Sequence, residues 1–163
     1  MKLSIYLVAF MMISLWACKN SNEPASKPKV ETTVYQNPYP LLPDVEYANL
    51  YNHCTYVDYI FEKLPFSVSQ NEDMGVKANI LFIGRQQPAT LDKSCRPIGR
   101  EFFQVNNEVA YEAEVYFSEN CKYYLFLEKG KPKYSAIITE SGQNFYNNLV
   151  QNAAKLQRGN IGK

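Results

Sequence analysis

Four glutamates close together in the sequence are the first residues whose type and spacing could do chemistry: Glu108, Glu112, Glu114 and Glu119. Glu112 and Glu114 are two residues apart in an alternating stretch, so a strand would place them on one face. Paired carboxylates can act on glycosides as acid and base or nucleophile. The wetted face of an ordinary strand shows the same pattern, so a glutamate-dependent hydrolase is an alternative and not the leading prediction.

A long connection, residues 85–99, offers a second kind of site. It has two prolines and little to bury, and loops of this length without structure of their own are often functional or mobile. The candidate ligand-binding residues are Arg85 and Arg96 in the loop and Arg100 just after it, because guanidinium groups bind anions through paired hydrogen bonds. Alternatively, these arginines and Lys93 could form ion pairs with the four glutamates named above.

Tyrosine is abundant, with 13 residues. A group in or near the predicted strands could form an aromatic platform for a sugar or peptide: Tyr116, Tyr123, Tyr124 and Tyr134. The alternative is that they are core or sheet-face residues.

The first 18 residues carry a processing signal. A lysine at position 2 precedes an almost wholly apolar run, residues 3–16, that is too short to predict a membrane span. The run ends in Leu15-Trp16-Ala17-Cys18, which resembles the lipobox of bacterial lipoproteins. The resemblance implies that residues 1–17 are removed and that Cys18 receives the lipid. It also implies a protein anchored in a membrane of the bacterial cell envelope and facing the periplasm or the cell exterior. An ordinary cleaved signal with a chance cysteine is the alternative.

Residues 18–43 are predicted to be a lipid-anchored linker. Five prolines among polar residues leave little to bury and favour a semi-stiff spacer. Tyr39, Leu41 and Leu42, near its end, could already pack on the domain. Residues 44–158 then form a single domain by the usual size of domains.

The cysteines allow one disulfide at most within the mature chain. With Cys18 lipidated, Cys54, Cys95 and Cys121 remain in an oxidising compartment. We expect Cys54 to be a buried free thiol. We favour a Cys95–Cys121 bridge, formed if the third meander strand returns beside the first, although spacing alone does not fix the connectivity. His53 and Cys54 are adjacent in a predicted helix, which is poor geometry for a metal site or for a nucleophile and its base.

The net charge and the absence of several motifs from the sequence exclude some classes of function. A net charge of +1 gives no field that would recruit nucleic acid. Nucleotide fingerprints, phosphate loops and zinc-hydrolase motifs are absent from the sequence, so we expect no cofactor.

The elements that must position these residues begin with a four-strand antiparallel meander. Apolar residues take every second position in residues 109–117, which predicts a strand packed on one face and wetted on the other. Strands are predicted at 101–105, 109–117, 121–128 and 133–139. The turns Asn106-Asn107 and Lys129-Gly130 suit hairpins.

Two helices and a further strand complete the prediction. We predict a helix over Asp44–Lys63, an inner strand over Val76–Gly84 and a C-terminal helix over Gly142–Gln157, capped by Thr139 or Ser141. In the first helix, apolar residues recur at spacings of three and four to form a stripe that packs on the meander: Tyr47, Leu50, Cys54, Val57, Phe61 and Leu64. The predicted fold is therefore α+β, a mostly antiparallel sheet of about five strands with an N-terminal and a C-terminal helix.

No motif in the mature domain identifies a ligand. The leading prediction is a non-enzymatic binding or accessory domain, held to the membrane through Cys18 and meeting an envelope protein or glycan. The alternatives are the glutamate-dependent hydrolase, acting on envelope glycans, and a purely structural envelope component.

Overall fold

The structure, a computed structural model, describes residues 37–160, so the signal peptide, Cys18 and most of the linker lie outside the described residues. The helices are α1 (Asp44–His53), α2 (Asp73–Ile80) and α3 (Glu140–Asn160). The strands are β1 (Cys54–Phe61), β2 (Val68–Gln70), β3 (Gly99–Val105), β4 (Glu108–Phe117), β5 (Lys122–Glu128) and β6 (Lys131–Ile137). They form one sheet in the order β2-β1-β3-β4-β5-β6, with every neighbouring pair antiparallel. The α+β prediction is confirmed, with six strands where about five were expected.

The meander has the predicted strands and turns. Asn106 and Asn107 have φ values of 54° and 65°, which asparagine tolerates better than most residues. Lys129 and Gly130, with φ of 52° and 74°, make the second tight turn. The alternation within β4 holds from residue 111 onward, because Ala113, Val115 and Phe117 are buried while the residues between them are partly exposed. The prediction is wrong for Val109, which the alternation also placed on the packed face and which is exposed beside the hairpin turn.

The predicted first helix is wrong beyond His53, where the chain becomes β1. Val57, Tyr59 and Phe61 are buried at a spacing of two. The apolar spacing of four from Val57 to Phe61 fits a helix and a strand equally well, so the predicted apolar stripe did not distinguish the two. β-Branched and aromatic residues fill this segment and favour the extended form.

The predicted inner strand over residues 76–84 is also wrong. Those residues form most of α2 and the turn after it, and the only bridge from this segment, among the described residues, joins Ile83 to Ile138. Asn79 and Ile80 are buried together with Val76, at the helical spacings of three and four from it. Leu81 is exposed, so the apolar run that suggested an inner strand is the end of a helix and a core-filling turn.

The three helices of the described residues pack on one face of the sheet. α3 buries Tyr146 and Ala153 there, and Tyr146 contacts the rings of Tyr59, Phe117 and Tyr124. The predicted cap is present, since the Thr139 hydroxyl accepts a hydrogen bond from the Gly142 backbone N–H at 3.4 Å. No helix between residues 37 and 160 is long and apolar enough to cross a membrane.

The end of the predicted linker belongs to the domain. Leu42 is buried in the main core, and Leu41 pairs in parallel with Ser135 on the outer edge of β6. The ordered domain therefore begins before residue 44 and covers part of an otherwise open sheet edge.

Candidate functional site

A loop, residues 85–98, covers part of the sheet face opposite the helices. Cys95 in the loop is joined by a disulfide to Cys121, the residue before β5, with 6.0 Å between their Cα atoms. This is the pairing favoured from the sequence, but the expected reason for it is wrong. The third meander strand lies beside the second and not beside the first, so the loop itself must bring Cys95 to Cys121.

A second attachment ties the loop to β6 and to the end of the linker through the fully buried Ser135. The Ser135 hydroxyl accepts from the Ala89 N–H at 3.1 Å and from the Asn37 amide at 2.7 Å, and it donates to the Tyr39 carbonyl at 3.1 Å. The Asn37 amide also donates to the Ala89 carbonyl at 2.6 Å. These bonds and the disulfide hold the loop at two separate points.

The far end of the loop is ordered by its own hydrogen bonds. The Asp92 carboxylate accepts from the Ser94 N–H at 2.7 Å. The Arg96 guanidinium donates to the Lys93 and Cys95 carbonyls, each at 3.0 Å. Hydrogen bonds from Ser94 hold the pKa of Asp92 below its ordinary value. The loop therefore carries an anionic acceptor and a cationic donor in defined positions.

Two shallow clefts adjoin this loop and share Asp92, Cys95 and Arg96. One, of about 330 Å³, is the more aromatic, and we call it the Tyr116 cleft; its lining is completed by Tyr39, Leu91, Lys93, Tyr116, Tyr123, Leu125 and Pro132. The other, of about 400 Å³, lies at the disulfide and includes Lys63, Glu119 and Asn120.

Tyr116 and Tyr123 are opposite each other on β4 and β5, and their rings stack with 4.5 Å between centroids and 17° between planes. The Tyr116 hydroxyl donates to Glu114 at 2.8 Å. Burial, followed by the bonded Glu114 carboxylate, raises the pKa of Tyr116 well above its ordinary value. Burial and the charges of Asp92 and Glu114 raise the pKa of Tyr123 to about 12. Both hydroxyls therefore stay protonated at neutral pH.

The predicted arginine cluster is divided. Arg96 lines the Tyr116 cleft, and Arg100 lies on the same sheet face, bound to Glu112 at 2.7 Å and near Glu114 at 3.7 Å. Arg85 lies elsewhere, paired with Asp44 at 2.7 Å and placed over the Tyr47 ring at 4.5 Å. The predicted tyrosine platform divides in the same way. Tyr124 and Tyr134 are not in the cleft, and the strand pairing places them on the helix side of the sheet.

The two glutamates that share a face, Glu112 and Glu114, also share one guanidinium, that of Arg100. Glu108 lies in the hairpin beside Val105, and Glu119 lies in the turn before β5. The structure therefore brings two of the four glutamates together, and it does so around a cation.

Sequence reasoning missed the carboxyl group of Glu101, which is 0% exposed at the centre of the helix-covered face. The Tyr146 hydroxyl donates to its Oε2 at 3.1 Å, while its Oε1 has no hydrogen-bond partner. Burial raises the pKa of Glu101 to about 8, against the opposing effect of the Tyr59 and Tyr146 hydroxyls. The sequence carried a signal for this burial. Glu101 is two residues before Phe103, so both side chains lie on the same, buried face of β3.

Comparison of the chain with protein-family models, with curated proteins and with solved structures finds no match. Within residues 37–160, no three His, Cys, Asp or Glu side chains are placed to hold a metal ion.

Proposed function

We propose that this protein is a lipoprotein of the bacterial cell envelope, anchored through Cys18, whose domain binds an envelope glycan or protein in the Tyr116 cleft. The observation that carries the proposal is the stacked Tyr116–Tyr123 pair beside a loop held by the Cys95–Cys121 disulfide.

The cleft has the composition of a recognition site. Tyrosine offers a large apolar ring with a polar end, which suits surfaces that bind a partner from water. Leu91 and Leu125 add apolar area, while Asp92 and Arg96 add a few fixed polar groups, the mixture typical of ligand sites. Because the disulfide and Ser135 hold the loop beforehand, little conformational entropy would be lost on binding.

The placement of the carboxylates favours binding over hydrolysis. Glu112 and Glu114 are both paired with Arg100, and Glu114 also accepts a hydrogen bond from the Tyr116 hydroxyl, so both carboxylates already have partners within the domain. The carboxyl group with a raised pKa, Glu101, is fully enclosed and could not meet a polymer.

The length of the linker limits how far from the anchoring membrane the partner can lie. Residue 37, the first described, is 19 residues after Cys18, so the extended reach of the chain between them is at most about 70 Å. We therefore expect a partner within that distance of the anchoring membrane.

The test measures how the full chain carrying Cys18→Ser associates with washed envelope fragments. Association is expected to be saturable and to fall about tenfold with Tyr116→Ala, a loss of roughly 1.4 kcal/mol in binding free energy. Tyr51→Ala is the matched control, because Tyr51 is an exposed tyrosine on α1 and outside the cleft. Equal association of the two variants would count against the proposal.

A further inference from the structure

We infer that the Tyr116 cleft binds a neutral glycan built of acetamido sugars. The inference rests on the proposed function and names the ligand class of the same site. It follows from three properties of the cleft: a fixed aromatic ring, one anionic acceptor beside one cationic donor, and a small volume with balanced charge.

The first property is the orientation of Tyr116. Its ring stacks on the buried Tyr123, and its hydroxyl is held by Glu114, which lies beside Arg100. An aromatic ring has a negative face, and the C–H groups on one side of a pyranose carry partial positive charge. The Tyr116 ring is held at its hydroxyl by Glu114 and on one face by Tyr123. It can therefore receive a sugar without first losing side-chain freedom.

The second property is the pair of polar groups on the loop. Asp92 and Arg96 both line the cleft, and their hydrogen bonds to the loop fix them in place. An acetamido group has one N–H donor and one carbonyl acceptor. The N–H matches the Asp92 carboxylate and the carbonyl matches the Arg96 guanidinium, while the methyl group suits the neighbouring apolar Leu91.

The third property is size and charge. A volume of about 330 Å³ is at the lower end of ligand sites and suits one or two sugar units of a longer glycan. The lining carries one negative side chain, Asp92, and two positive ones, Lys93 and Arg96, and the adjoining group of Glu112, Glu114 and Arg100 carries one net negative charge that balances them. A balanced site of this kind gives a charged glycan no net attraction.

The test is a titration of the full chain carrying Cys18→Ser with chitotetraose, a tetramer of N-acetylglucosamine, followed by saturation-transfer NMR with irradiation of the aromatic protons. Cellotetraose, which has the same length but no acetamido groups, is the control glycan. We expect saturable binding of chitotetraose with Kd of about 1 mM or tighter and at least about tenfold weaker binding of cellotetraose. Tyr116→Ala and Arg96→Gln should each weaken chitotetraose binding several-fold, and Tyr51→Ala should not. Arg96 is exposed, so Arg96→Gln remains informative if Tyr116→Ala proves unstable.

Three results would overturn the inference: no saturable binding of chitotetraose, equal affinity for cellotetraose, or affinity unchanged in both cleft variants. If any of these occurs while envelope association still depends on Tyr116, the ligand class is wrong and the proposed binding function stands. If envelope association is also indifferent to Tyr116, both fail.

Discussion

The Tyr146 hydroxyl on α3 donates a hydrogen bond to the Glu101 carboxyl group on β3 across 3.1 Å, in the middle of the core. Tyr146 also lies 3.0 Å, hydroxyl to hydroxyl, from Tyr124 on β5. The C-terminal helix is thus joined to the central strands by polar groups, and one oxygen of Glu101 is left without a partner. A buried carboxyl group of this kind is costly when ionised.

The first prediction is that stability falls between pH 4.5 and about pH 8 because of Glu101. Its pKa is about 8 in the folded chain against an ordinary value of 4.5. Below pH 4.5 both states are protonated and the cost is absent. As the pH rises toward 8 the unfolded state loses the proton first, so the free energy of unfolding falls by roughly 1.4 kcal/mol per pH unit, and it levels off above pH 8.

Glu101→Gln should remove this slope and raise stability at pH 7 by about 1–3 kcal/mol, since the amide stays neutral. Urea unfolding across pH 5–9 measures it. Glu112→Gln, on the other face of the sheet, is the matched control and should keep the slope. A Glu101→Gln variant with the slope of the wild type would show that Glu101 is not responsible.

The second prediction concerns the disulfide. Cys95 and Cys121 are 26 residues apart, and the double change to serine should destabilise the domain by about 3 kcal/mol, because a loop of that length gains chain entropy when unfolded. It should also weaken association with envelope fragments, since the loop loses one of its two attachments. Reduction of the wild type should reproduce both effects and leave the double variant unchanged. Wild-type stability after the double change would contradict the prediction.

The third prediction tests the packed face of β4. Val115 is 0% exposed, and Val115→Asp should leave the domain unfolded, because an unpaired buried charge costs several kcal/mol. Val109→Asp is its control in the same strand, since Val109 is 56% exposed and should tolerate the charge. Circular dichroism and thermal melting compare the two. A soluble Val115→Asp domain with an unshifted melting temperature would refute the assignment of the two faces.

The fourth prediction concerns the anchor. Cys18→Ser should stop incorporation of labelled fatty acid and allow the chain to be washed from the membrane fraction without detergent, because several acyl chains on one residue supply the membrane affinity. Fractionation and mass spectrometry measure it, with Cys54→Ala, at a buried thiol far from the signal, as the control. An unchanged mass with undiminished fatty-acid labelling in Cys18→Ser would exclude the lipoprotein interpretation.

The sequence by itself determined the elements in which local signals agree. Alternation in residues 109–117 and the turns Asn106-Asn107 and Lys129-Gly130 predict the same hairpins, and the structure has them. The C-terminal helix follows in the same way from its cap at Thr139 and its apolar spacing. Such signals act over a few residues and do not depend on distant contacts.

Where the local signal was ambiguous, only the tertiary structure decided. Val57 and Phe61 fit a helix and a strand, and pairing with β3 selected the strand, because each β1 residue there gains a partner across the sheet. The residues that make up the candidate site were also determined by the tertiary structure. Which arginine lines the Tyr116 cleft depends on strand order and on the path of a loop held by residues far away in the chain. Long-range contacts of this kind leave no periodic trace in the sequence.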